Sequence, residues 1–86
     1  MNVDAALVRE RGVTFVVVVV QKNVVHSPTT RTDTAAGFAS YWPDVPVVLM
    51  AQDASGVPEY WGRDDIVRFL ASVPIESLPW RTWTIR

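Results

Sequence analysis

The fold turns on "GVTFVVVVVQKNVVHS", Gly12–Ser27, in which five valines follow a phenylalanine and two more follow a short polar break. Consecutive β-branched residues lose χ1 freedom against the preceding turn of a helix, so the run reads as a strand. The valines do not alternate with polar residues. Both faces of that strand are therefore apolar, as expected of a central strand covered on both sides. Gln21, Lys22 and Asn23 mark where it leaves the core, and Val24 and Val25 read as its continuation at an edge or interface.

Upstream, Asn2 or Asp4 is placed to cap a short helix through about Arg11, with Val3, Ala6 and Leu7 on one face and Gly12 as its left-handed stop. Downstream, "SPTTRTDTAAGFASYWP" reads as a helix capped by Ser27 with Pro28 in its first turn, or starting at Thr30 with Asp33 in a capping box. Ala35, Phe38, Ala39 and Trp42 then share one face. "VPVVLMAQ" is a second apolar strand, "DASG" a turn, and "VPEYWG" a short strand that Pro58 pushes toward a sheet edge. Asp64 or Asp65 opens a helix with Ile66, Phe69, Leu70 and Val73 on its buried face, and "WRTWTIR" closes the chain as a strand. The predicted class is α/β, with α+β as the variant: a small mixed sheet with helices packed on it, in the order α-β-α-β-β-α-β.

From "VTFVVVVV" through "DVPVVLMAQDASGVPEYWGRDDIVRFL" this order resembles the C-terminal part of thioredoxin-like and glutaredoxin-like domains, over about residues 13–73. The resemblance implies a cis-proline at Pro46, ahead of the hairpin strand. It also implies a non-catalytic relative used as a platform, because redox-active members carry a cysteine at a helix N-terminus and this chain has no cysteine.

The 86 residues make a single domain, 1–86, and a chain this small has a narrow stability margin that a second subunit would widen. The absence of cysteine excludes disulfides, thiolate metal sites and thiol catalysis. Eight basic against nine acidic residues give a net charge of −1, which disfavours nucleic acid as a general partner. No apolar window is long enough for a membrane helix. The opening "MNVDAALVRERG" has no secretory pattern, so the expected location is cytoplasmic. Arginine supplies seven of the eight basic residues, and valine and alanine are abundant, which suggests a GC-rich bacterial source.

No phosphate-binding glycine loop, serine elbow or metal-ligand spacing occurs, so no catalytic, cofactor or metal residue is assigned. His26, the single histidine, falls where a strand leads into a helix cap, and with Asp53 and Asp64 it forms a candidate polar site. Asp53, Asp64 and Asp65 are explained better by turn and N-cap chemistry than by a carboxylate cluster. Tyr41 and Trp42, Tyr60 and Trp61, and Trp80 and Trp83 are more aromatic surface than a core this small can bury. Tyr60, Trp61, Trp80 and Trp83, with Arg63, Arg81 and Arg86 near in sequence, therefore form a candidate interaction surface. The leading expectation is a non-catalytic protein-binding module, a homodimer joined through edge strands and these aromatics. The alternative is a small enzyme or ligand-binding domain near His26 and Asp64. A third reading is a nucleic-acid accessory protein using Arg63, Arg68 and Arg81.

Overall fold

A computed structural model describes residues 1–85 as a five-stranded mixed sheet between two helical layers. The elements are β1 (Asn2–Glu10), β2 (Val13–Val19), α1 (Lys22–His26), α2 (Pro28–Ala39), β3 (Val47–Gln52), β4 (Pro58–Trp61), α3 (Asp64–Leu70), a 3-10 turn (Ile75–Ser77) and β5 (Trp80–Thr84). The sheet order is β4-β3-β2-β1-β5, with β2 parallel to β3 and the other neighbours antiparallel. The α/β class and the mixed sheet are thus as expected. The order of elements is not.

The valine ribbon behaves as a doubly covered strand. Val16 and Val18 pack with Val25, Trp42 and Leu49 in the layer under α1 and α2, whereas Phe15 and Val17 pack with Ile66, Leu70 and Leu78 in the layer under α3. Val16, Val17 and Val18 are fully buried. Side chains alternate along a strand, so an unbroken apolar run is what two such layers require. Val19, at 37% exposure, marks the end of that cover.

The helix expected before Gly12 is instead β1. Arg11 and Gly12 both have positive φ, 51° and 78°, the two-residue hairpin geometry whose twist matches the flanking strands. Glu10 pairs with Val13 and the ladder runs back to Ala5 opposite Val18. Ala5, Ala6 and Leu7 are good helix formers, but an eight-residue helix is marginal in isolation, while pairing with the most apolar strand supplies a full hydrogen-bond ladder. Val24 and Val25 also depart from expectation. They lie in α1, which turns the chain from β2 into α2 and buries Val25 against the sheet.

Ser27 caps α2, its Oγ accepting from the Thr30 amide at 3.4 Å, with Pro28 at the first helical position; the alternative start at Thr30 does not occur. Phe38, Ala35 and Trp42 pack on the sheet, but Ala39 points to solvent. In α3 the cap position is Arg63, and Asp64 and Asp65 occupy the first turn. No described peptide bond is cis, so Val45–Pro46 is trans and the implied cis-proline is absent. No described helix is long and apolar enough to cross a membrane.

Candidate functional site

The parallel strands β2 and β3 end together, and open α/β sheets bind ligands outside such carboxyl ends. Here α1 follows β2 directly, and the β3–β4 turn brings Glu59 back opposite Ala51. His26 Nε2 meets Glu59 Oε2 at 2.5 Å, with the two side chains 51% and 40% exposed. Asp53 lies at the same end but is occupied by its own turn. Its Oδ1 accepts from the Ser55 amide at 2.9 Å, the Ser55 hydroxyl at 2.6 Å and the Val57 amide at 3.0 Å. The Ser55 hydroxyl first, then the Val57 amide, hold its carboxyl below the usual range. Asp64 lies beyond the opposite end of β4, because β4 runs antiparallel to β3. The structure therefore joins His26 to Glu59 and separates both from Asp64. Among the described residues, no three His, Asp or Glu side chains stand together to hold a metal ion.

The aromatic residues divide between two sheet edges and two faces. On β4, Trp61 packs in the α1–α2 layer with the Arg31 guanidinium 5.2 Å from its ring, while Tyr60 turns to the α3 layer, where burial pushes its phenol up. On β5, Trp83 packs in the α1–α2 layer, edge-on to Trp42 at 5.5 Å, and donates Nε1–H to the Ala5 carbonyl at 3.0 Å. Trp80 packs in the α3 layer and donates to the Ile75 carbonyl at 2.8 Å. These half-buried rings rim the core and do not meet in one patch. Arg63 is engaged with Asp65 through two 2.7 Å contacts, and Arg86 lies outside the described residues.

The backbone at the two sheet edges is not equivalent. β4 has four residues, begins with Pro58 and has Glu59 tied to His26, features that blunt an edge. β5 has no proline, and its pairing phase can be fixed. Met1 N donates to Ile85 O at 3.1 Å and Ile85 N to Met1 O at 2.7 Å, a mutually bonded antiparallel pair. Two-residue steps along the register make Val3–Trp83 and Ala5–Arg81 bonded pairs as well. The far side of the hairpin gives the same phase. Val16 N donates to Pro46 O and Val20 N to Met50 O, so even residues of β2 face β3 and odd ones face β1. Val17 therefore bonds Ala6, leaving the odd residues of β1 for β5. The N–H and C=O groups of Thr82 and Thr84 consequently point out of the sheet along an unpaired edge.

Sequence reading does not reveal Glu59, Thr82 or Thr84 as functional candidates. Glu59 becomes visible only once β3 and β4 are in register, and the threonines only once the phase of the ladder is known.

A groove of about 520 Å³ lies between the β3–β4 turn and the end of α3, lined by Val57, Tyr60, Val67, Leu70 and Val73 among others. A second, of about 400 Å³, runs between α2 and Trp61–Arg63. Neither is lined by His26, Glu59 or Asp53. The histidine–glutamate contact thus stands outside both. Comparison with protein-family models, with curated proteins and with solved structures finds no match for this chain.

Proposed function

We propose that this chain is a non-catalytic protein-binding module that self-associates through β5, two copies joining their sheets edge to edge into one ten-stranded sheet. The observation that carries this reading is the pair of outward-facing backbone units at Thr82 and Thr84 on an edge without proline or bulge. An antiparallel pairing of Thr82 with Thr82 of the second copy satisfies these groups around a two-fold axis, the self-complementary arrangement usual in dimers. It also sets Arg81 of each copy opposite Trp83 of the other. The platform role is the one that the thioredoxin-like resemblance implies for a chain without cysteine, but it rests here on the open edge.

Sedimentation velocity at micromolar concentration is the test. The expected species has twice the 9.6 kDa chain mass, and Thr82→Pro returns it to the single-chain mass with circular dichroism unchanged. A wild-type chain that sediments only as a monomer refutes the proposal. A second reading, a small-ligand site at the carboxyl ends of β2 and β3, is favoured only by the His26–Glu59 contact. It predicts a ligand whose binding is lost in both His26→Gln and Glu59→Gln.

A further inference from the structure

The register of β1 and β5 sorts their charges by face. Val3, Ala5 and Trp83 belong to the α1–α2 layer, and Ala6, Val8 and Trp80 to the α3 layer. Alternation then places Leu7, Arg9 and Arg81 on the α1–α2 side and Asp4 and Glu10 on the other. Asp4 is held there, accepting from the Thr82 hydroxyl at 2.9 Å. Both arginines of this strand pair thus share one face, and both of its carboxylates share the opposite face.

The arginine-bearing face is covered over Ala5 but open beyond it. α1 and α2 pack on β3 and β4, leaving Leu7 40% exposed and Arg9 and Arg81 exposed beside it. The Arg81 guanidinium lies 5.8 Å from the Trp83 ring, and among the described residues neither Arg9 nor Arg81 forms an ion pair with a carboxylate. Arg81 is opposite Ala5, diagonal to Leu7, so the four side chains form one strip. From Arg9 to the Val3–Trp83 pair it spans six residue steps, about 20 Å.

We propose that this strip is a docking surface for an extended, acidic segment of another protein that carries apolar side chains between its carboxylates. Arg9 and Arg81 supply charge at separated points, while Leu7 between them and the Trp83 ring beyond Arg81 supply apolar contact, so the complementary ligand alternates the two chemistries. Two cations on a chain of net charge −1 do not make the continuous row that a nucleic-acid backbone rewards. The strip lies on a sheet face and does not depend on pairing through β5.

The test is fluorescence anisotropy with a labelled peptide of about eight residues alternating glutamate with leucine and phenylalanine, long enough to follow the strip. A matched lysine peptide and a single-stranded oligonucleotide serve as competitors. The expected result is salt-sensitive binding of the acidic peptide alone. Arg9→Glu and Arg81→Glu should each weaken it at least about tenfold, while Asp4→Asn and Glu10→Gln, on the opposite face, leave it unchanged. The monomeric Thr82→Pro chain should bind as wild type, which separates this surface from the dimer. No binding of the acidic peptide, affinity unchanged in both arginine variants, or tighter binding of the oligonucleotide would overturn the proposal.

Discussion

Two prolines placed one residue apart on β5 should have very different consequences. The ladder phase aims the Arg81 amide at the Ala5 carbonyl and the Thr82 amide away from the sheet. Arg81→Pro therefore deletes a ladder bond and drives the pyrrolidine ring toward β1, at a cost of about 2–3 kcal/mol. For a domain of this size each kcal/mol moves the unfolding midpoint by roughly 4–8 °C, so the midpoint should fall by about 8–24 °C. Thr82→Pro removes no ladder bond. It loses the exposed Thr82–Asp4 side-chain contact, worth about 1 kcal/mol, or roughly 4–8 °C. Residue 81 is already extended, as the position before a proline prefers. The assay is thermal unfolding followed by circular dichroism, at a concentration low enough that both variants are monomers. Equal losses in the two variants would mean that the Thr82 amide is engaged within the sheet, and the open edge on which self-association rests would not exist.

Two glycines separate tight packing from open space. A Cβ at Gly62 would stand 2.9 Å from Val48 Cγ2 and 3.2 Å from the Val47 carbonyl, so Gly62→Ala should destabilise by about 1–3 kcal/mol. Gly37 lies within α2 with nothing within 4 Å of a Cβ, so Gly37→Ala should stabilise by about 0.5–1 kcal/mol; thermal unfolding reads both. Asp65 should titrate at about 2, because the Arg63 guanidinium hydrogen-bonds its carboxylate, and Arg63→Gln should return it upward in a carboxyl-carbon NMR titration. Its folded value lies below its unfolded one, so this pair's contribution is present above about pH 4 and is lost as pH falls toward 2.

The sheet's interior is legible in the sequence because an unbroken valine run has one economical explanation, burial on both sides. Residues 2–10 are not, because Ala5, Ala6 and Leu7 satisfy a helical reading, Gly12 serves a helix stop as well as a hairpin, and the other turn residue is an arginine. Arg11 at φ 51° occupies a turn position where asparagine, aspartate or glycine is the usual signal, and an arginine there gives no warning. The same limit applies to the sites. The aromatics stand out by residue type, yet register assigns Trp80 and Trp83 to opposite faces and gives each indole a carbonyl partner. Neither the direction of a threonine amide nor the shared face of Arg9 and Arg81 has any compositional trace.

The incomplete cover of the sheet follows from how little helix the α1–α2 layer contains. Five strands spaced about 4.8 Å apart make a sheet about 19 Å wide, and a helix covers a band of about 10 Å. The α1–α2 layer has helices of five and twelve residues to place on that width, and they lie on β3 and reach to β4. Their position follows from connectivity, because the crossover between the parallel strands β2 and β3 must run over those strands. The edge-on contact of Trp42 with Trp83 extends that layer toward β5, over Val3, Ala5 and Ile85. Strands β1 and β5 are left with one face partly open and one edge unpaired. The five and twelve residues of α1 and α2 close neither. On that face Arg9 and Arg81 flank the exposed Leu7, which keeps the open strip compatible with water until an acidic partner covers it.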